Sequence, residues 1–308
     1  MTSLRARLIN SIMRRRVKGR LAACASPLDA RKIFQGRPLP GPFGVRFTPA
    51  ALGGVAGEWA EAKAGLARAT LLYLHGGGYI GMSPATHRHL TGAFARRGFR
   101  VFAPDYRLAP EHPFPAAVED ATAAWRGLRE RVAGPAYVAG DSAGGGLTLA
   151  LLLHLRDLGE RCPDGACMFS PWTDLAVTGA STRTNENRDP LLVSSGLVKV
   201  AAAYLNGADP RTPLASPLYG DFSGLPQLIF FVGDTEVLLD DAVRAAERAR
   251  AAGVPVELRV APDMPHVWPF LNRITPEARR AMDEAAAFLL CARERRAIQA
   301  ATEAPAAT

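Results

Sequence analysis

Tyr137-Val138-Ala139-Gly140-Asp141-Ser142-Ala143-Gly144-Gly145-Gly146 is the stretch that decides the fold. It opens as a short apolar strand, turns on small residues, and continues as an apolar helix from Leu147 to Leu158. A strand that turns directly into a helix holds the central residue in a sparsely populated backbone conformation, and its neighbours must be small for the two elements to meet. Gly140 and Gly144 provide that on either side of Ser142. The pattern predicts a nucleophile elbow, with a serine hydroxyl held out at the end of a sheet beside the first amides of a helix. Gly-x-Ser-x-Gly by itself also fits a purely structural turn; the readable strand and helix around it favour catalysis.

Working outward, short apolar runs at 71–74, 101–103, 166–169, 228–232 and 256–260 alternate with helical stretches at 85–97, 115–131, 238–251 and 276–295. This alternation predicts an α/β fold, a mostly parallel central sheet covered by helices on both faces. Residues 45–47 and 55–59 alternate like two exposed-edge strands around a Gly-Gly turn. At the N-terminus, 2–22 reads as an amphipathic helix with Leu4, Leu8, Ile12 and Val17 along one side, followed by a short helix at 27–34 and a break at Pro38, Pro40 and Pro42. One segment, 176–218, interrupts the rhythm: 178–189 is polar and irregular, and 195–205 is helical. An insertion of this kind sits where loops leave the C-terminal ends of strands, which is where α/β sheets bind ligands. With residues 1–42 it is expected to form a small helical cap on a single domain spanning 1–308. The tail from 297 onward is expected to fray.

With 308 residues, 48% of them hydrophobic, the chain can bury a sizeable core. It has no apolar run of about 18 residues, so no stable membrane insertion is expected. Residues 1–28 carry seven Arg or Lys and no acid, which hints at a transit peptide or a membrane-surface helix. The chain has only four lysines against a large excess of arginine, a bias common to GC-rich genomes, and no secretory apolar region follows the basic residues. A cytoplasmic protein is therefore expected. The net charge of +8 is spread along the chain and interleaved with acids, without an aromatic-basic motif, so no nucleic-acid partner is expected. Cys24, Cys162, Cys167 and Cys291 form no close Cys-x-x-Cys pair and are read as free thiols. Nothing in the sequence calls for a metal or an organic cofactor.

Serine is a poor nucleophile at neutral pH and needs a base within hydrogen-bond reach and an acid to orient that base. After a nucleophile elbow the acid follows the serine and the histidine follows the acid. His75, His87, His89 and His112 precede Ser142, and His154 lies mid-helix in an apolar stretch. His266 remains, in a proline-rich loop directly after the last strand. For the acid, Asp234 and Glu236 both lie in the loop after 228–232, and pattern alone does not choose between them. Asp240 and Asp241 read as first-turn helix residues that favour the positive end of its dipole. The negative charge that develops during attack needs donors. His75-Gly76-Gly77-Gly78 ends one strand with backbone amides able to approach a substrate, and the amide of Ala143 follows the nucleophile. A glycine-rich loop can cradle phosphate as well, but no Gly-Lys-Ser/Thr sequence accompanies this one.

His75-Gly-Gly-Gly78, Asp105-Tyr-Arg-Leu-Ala-Pro-Glu111, Gly140-Asp-Ser-Ala-Gly144 and Ser170-Pro-Trp-Thr-Asp174, in that order, resemble the motif set of the hormone-sensitive-lipase family, the bacterial family IV esterases. The similarity runs from about residue 71 to 288. It implies an α/β-hydrolase core with a helical cap, a small ester as substrate, and hydrolysis of short-chain carboxylic esters through an acyl-enzyme. The family's acid sits in an Asp-Pro-Leu-x-Asp-Glu segment, which aligns with Glu236-Val-Leu-Leu-Asp240-Asp241 and implies Glu236, a glutamate where aspartate is more usual. The resemblance carries the oxyanion donors over to Gly77 and Gly78, and makes His75, Gly76, Asp105, Tyr106, Arg107, Glu111 and Asp141 supporting residues. It also admits a homodimer through the edge of the final strand and the closing helix. The rivals are an amidase, lactonase or deacetylase with the same triad, and a non-catalytic binding protein on this fold, like the plant gibberellin receptors.

Overall fold

The strand-forming runs assemble into one eight-stranded sheet in the computed structural model, which describes residues 2–34, 40–65 and 67–291. Before the sheet come α1 (Leu4–Met13), a single wider π-turn at Arg14–Lys18, α2 (Gly19–Ala22) and α3 (Pro27–Phe34). The hairpin of β1 (Val45–Leu52) and β2 (Val55–Ala62) turns on Gly53 and Gly54, both at positive φ. Both strands are longer than the alternating core of each suggests. There follow β3 (Ala69–Leu74), α4 (Arg88–Ala95), β4 (Phe99–Pro104), α5 (Ala116–Arg131), β5 (Ala136–Asp141), α6 (Ala143–Asp157) and β6 (Ala166–Phe169). The inserted segment contributes α7 (Ser181–Thr184) and α8 (Ser194–Leu205). The chain then closes with β7 (Leu228–Gly233), α9 (Leu239–Ala251), β8 (Val256–Ala261) and α10 (Pro276–Leu290).

The spatial order is β1-β2-β4-β3-β5-β6-β7-β8. From β4 to β8 every pairing is parallel; β2 runs against both of its neighbours. The fold is therefore the α/β-hydrolase arrangement expected, and β5, which carries Ser142 at its end, is a central strand. Period-two alternation divides the core into two layers. Leu72, Leu74, Val138, Met168 and Phe230 face α5, α6 and α9, while Leu71, Tyr73, Tyr137, Phe169 and Phe231 face α4 and α10. Each such side chain contributes roughly 1.5–3 kcal/mol by its burial.

Three expectations change. The helix anticipated at 85–97 begins as a 3-10 turn at Pro84–His87, capped by Ser83 and Thr86, and becomes α-helical only from Arg88. The closing helix ends at Leu290; residues beyond 291, including the expected end at 295 and the tail, lie outside the described residues, as does Pro38. The third concerns the N-terminal helix. Leu4, Leu8 and Ile12 face solvent at 82%, 63% and 48% exposure, while Val17 packs inward. Five residues separate Ile12 from Val17, about 140° around a helix, so the four cannot share a side. Ala6 is the buried residue of α1.

Candidate active site

Ser142 joins β5 to α6 at φ 54 and ψ −122, a conformation that costs a non-glycine residue on the order of 1–3 kcal/mol. It is held there from both sides. Its amide donates to the Phe169 carbonyl (2.9 Å), and its carbonyl accepts from Gly146 (3.1 Å) and Trp172 (2.9 Å). Gly144 must be glycine because a Cβ would overlap the carbonyl oxygens of Leu74 and His75. The helix is thereby pressed against the end of β3, where the glycine-rich loop begins.

His266 reaches Ser142 from the loop after β8. Its Nε2 lies 2.9 Å from Ser142 Oγ and its Nδ1 2.8 Å from Glu236 Oε2. Glu236 is fully buried, and its other oxygen accepts from the Gly233 amide (2.6 Å) and the Ser170 hydroxyl (2.7 Å). Asp234 is turned away: it accepts from the Asp263 amide (2.7 Å) and pairs with Arg188 (3.3 Å). Of the two acid candidates, then, only Glu236 meets the histidine. Burial works to keep His266 neutral, but the hydrogen bond and charge of Glu236 outweigh it and raise the imidazole above its ordinary 6.5. Burial likewise raises the Glu236 carboxyl, with the His266 hydrogen bond opposing it.

Gly77 and Gly78, at φ 118 and 65, line the same cavity as Ser142 and His266. A Cβ on Gly77 would also overlap the Gly81 carbonyl. The loop is tied to the elbow by Asp141, whose Oδ1 accepts from the Gly76 amide (3.2 Å) and Tyr73 OH (2.8 Å) and lies 3.3 Å from His87 Nε2. Burial pushes the Asp141 carboxyl up, but the neighbouring His87 and the Tyr73 hydroxyl outweigh it and hold it below the usual carboxylate range. His75 bonds the Gly76 carbonyl (2.7 Å) and stacks on Tyr106 (4.2 Å between centroids), whose hydroxyl donates to the His75 carbonyl (2.6 Å). Burial, with His87 nearby, drops the His75 imidazole to about 3, so it is neutral. Arg107 pairs with Glu119 and Asp120, and Glu111 with Arg31 of α3. Asp105 is exposed at the surface, and partial desolvation of its carboxyl, with the charge of Glu58 nearby, raises it above the ordinary value. His154 lies in the last turn of α6, away from Ser142.

Several residues without an assigned part in the sequence hold this constellation. Ser170, which follows β6 at φ 47, donates to Glu236 and accepts from the Val267 amide (3.0 Å), linking the acid loop to the histidine loop. Its signal was present, since it opens Ser170-Pro-Trp-Thr-Asp174. From the inserted segment, Asn185 Nδ2 donates to the carbonyls of Asp234 (3.0 Å) and Glu236 (2.9 Å), and Asp189 accepts from the Val237 amide (2.9 Å). Polar residues in an irregular stretch gave no signal for this. Asp240 and Asp241 do lie in the first turn of α9, but Asp241 is buried and accepts from the amides of Thr173 (2.8 Å) and Asp174 (2.9 Å). Burial and the charge of Asp174 push its carboxyl up to about 8.

Ser142 and His266 open onto a cavity of about 350 Å³. Its walls are mostly apolar: Met13 and Val17, Ile33 and Phe34, and Leu197 and Val200 of α8. The arrangement can attack an acyl carbon with a hydroxyl, move a proton through an imidazole, and receive an oxyanion among backbone amides.

Residues 71–270 match a family of alpha/beta hydrolase fold. An acetyl-hydrolase of Streptomyces hygroscopicus is 51% identical over 223 residues, covering 71% of this chain and 75% of that one. Among solved structures, EstE5 soaked with p-nitrophenyl butyrate superimposes with a TM-score of 0.89 at 38% identity, covering 94% of this chain and 99% of that chain. An esterase from the bacterial hormone-sensitive lipase family superimposes with a TM-score of 0.87 at 40% identity, covering 94% and 98%.

Proposed function

This chain belongs to the α/β-hydrolase fold family of hormone-sensitive-lipase-type esterases, and we propose that it hydrolyses short-chain carboxylic esters through an acyl-enzyme on Ser142. The observation that carries this is the unbroken relay from Ser142 Oγ to His266 (2.9 Å) to Glu236 (2.8 Å), opening on an apolar cavity. Ser142 Oγ attacks the ester carbonyl while His266 Nε2 takes its proton. The oxyanion is received by the amides of Gly77, Gly78 and Ala143. His266 then protonates the departing alkoxide, and the acyl group stays on Ser142. A water attacks by the same route, and the acid product leaves with Ser142 Oγ reprotonated. Glu236 fixes the Nδ1–H tautomer and stabilises the imidazolium.

Short acyl chains are favoured by the cavity of about 350 Å³, near the lower end of the ~300–1,000 Å³ of small-molecule sites. The activity named for the Streptomyces relative agrees with that size. Residues 1–42 and 176–218 act as the cap, since α1, α3 and α8 bring side chains over Ser142. Four cysteines, none of them in a disulfide among the described residues, fit residence in the reducing cytoplasm. No helix among the described residues is long and apolar enough to cross a membrane. A second copy would pair along the open edge of β8, where Val260 faces solvent, and against α10.

The test is turnover of p-nitrophenyl acetate and butyrate, with an organophosphate to trap the nucleophile. The expected result is hydrolysis abolished by one equivalent of label on the peptide carrying Ser142; turnover that survives full labelling sinks the proposal. Parallel assays on an anilide and a lactone separate the amidase and lactonase rivals. The pH profile supplies a second check. Activity needs neutral His266, whose pKa is raised, so kcat/KM should be level in alkali and fall with decreasing pH through a midpoint above 6.5. A midpoint well below 6.5 would contradict the Glu236–His266 pairing. Gly77→Ala, which forces the loop away from the Gly81 carbonyl, should lower kcat by ~10²–10³ with little change in KM, because the loss falls on the transition state.

A further inference from the structure

The N-terminal helix has two apolar stripes on different sides. Met13, Val17 and Leu21, each four residues after the last, line the cavity. Leu4, Leu8 and Ile12, also at intervals of four, are exposed at 82%, 63% and 48%. Globular packing explains the first stripe and leaves the second exposed among the described residues. The helix is not free to roll and bury it. Ser3 donates through its amide to Glu277 (2.6 Å) and Thr2 through its hydroxyl to the Pro262 carbonyl (3.1 Å). Asn10 donates to the Asp263 carbonyl (2.8 Å) and Arg14 to that of Arg188 (2.9 Å).

Charge says what covers the outer stripe. Residues 1–28 contain seven cations and no carboxylate, and Arg5, Arg7, Arg14, Arg15, Arg16 and Arg20 are exposed. At about 100° per residue Arg5 and Arg15 lie within about 60° of the centre of the stripe, with Arg7 at its flank. The patch continues onto Ile274, 49% exposed, whose carbonyl accepts from Arg5 (3.3 Å) and whose neighbour Arg273 is exposed. The carboxylates at the inner edge, Glu277 and Asp263, are hydrogen-bonded to Ser3 and Thr2. Leucine and isoleucine on the outer side of a helix rimmed by arginines are what an anionic interface takes up: apolar side chains enter the headgroup boundary and guanidinium groups pair with lipid phosphates. A second copy would set the arginines around the stripe, Arg5, Arg7 and Arg15, against their own counterparts. A nucleic acid would engage the arginines and leave the stripe in water.

We propose that α1 docks the protein flat on an anionic lipid bilayer through Leu4, Leu8 and Ile12. The cavity wall is formed by the C-terminal part of the same continuous helical segment, Met13 at the end of α1, Val17 in the π-turn and Leu21 in α2, so docking brings the cavity within about one helix diameter, ~10 Å, of the lipid. This is surface attachment without a membrane span, and the binding does not depend on the reaction assigned to Ser142.

The experiment is co-sedimentation of the full chain with vesicles of phosphatidylglycerol and phosphatidylcholine in equal parts, and with phosphatidylcholine alone. The comparison protein carries Leu4→Gln, Leu8→Gln and Ile12→Gln together, changes that keep helix propensity and touch no cavity residue. Wild type should partition to the anionic vesicles at least tenfold better than to neutral ones and lose that preference in high salt. The triple variant should bind at least tenfold less while its thermal unfolding midpoint and its turnover of dissolved p-nitrophenyl acetate stay at wild-type levels. Equal binding of the two proteins overturns the proposal, as does no binding by wild type. Light scattering that finds a dimer dissolved by the triple substitution, with no vesicle binding, assigns the stripe to a second copy instead.

Discussion

Ser142→Ala will lower kcat on p-nitrophenyl acetate by ~10⁴-fold or more while leaving the fold intact. Removing a serine nucleophile leaves only what binding and the oxyanion donors supply, and such losses commonly reach ~10⁴–10⁶. The backbone of Ser142 is fixed by the hydrogen bond its amide donates to the Phe169 carbonyl and by the two donors on its own carbonyl, none of which involves the hydroxyl. Alanine therefore inherits the same strained φ of 54. Ser142→Gly separates strain from chemistry. Glycine adopts positive φ without a Cβ penalty, so this variant should be as inactive as Ser142→Ala yet more stable by about 1 kcal/mol. Parallel denaturant titrations and initial rates check both halves. A Ser142→Ala protein that keeps more than a tenth of wild-type turnover would refute the nucleophile assignment, and a glycine variant less stable than the alanine variant would refute the strain.

How far these residues could be read from the chain depended on whether their signal was local. The elbow at 140–144, the alternation of strands and helices, and the break at Gly53-Gly54 are set by neighbours in sequence, and the eight-stranded sheet contains each of them. His266 could be singled out because chain order sets aside four of the other histidines and a helical apolar stretch sets aside His154. The choice between Asp234 and Glu236 could not be made from residue pattern, since both leave the same strand. It depends on which carboxylate turns inward, and that is decided by Ser170 and Gly233 holding one and Arg188 and Asp263 holding the other. Ser170 lies 66 positions from Glu236, and no periodicity connects them. The sidedness of the N-terminal helix failed for a different reason. Leu4, Leu8 and Ile12 form a regular stripe, and such a stripe normally faces a core; here the inward face is instead a cavity wall reached by Met13 and Val17.

Glu236→Gln should cost nearly as much as losing the serine, ~10⁴ in kcat, through the tautomer of His266. Oε1 of Glu236 accepts from the Gly233 amide and from Ser170, whose own hydroxyl oxygen is engaged by the Val267 amide. Gly233 N–H can only donate, so a glutamine must present its carbonyl there and turn its NH₂ toward His266 Nδ1. Nδ1 then has to accept, which moves the ring proton to Nε2, the atom that must take the proton of Ser142. An isosteric acid-to-amide change of this kind in other serine triads lowers kcat by about 10⁴. Removing the carboxylate also removes what raises His266, so the acid limb of the residual pH profile should shift to lower pH. Glu236→Asp keeps the charge and the acceptors but withdraws them by one methylene, and should retain at least ~10-fold more activity than Glu236→Gln. Asp234→Asn removes a partly exposed ion pair with Arg188, worth at most ~1 kcal/mol, and weakens the tether to Asp263; its kcat should stay within a few-fold of wild type. If instead Asp234→Asn collapses kcat and Glu236→Gln leaves it unchanged, the orienting acid is Asp234, and the buried contact between Glu236 and His266 is structural.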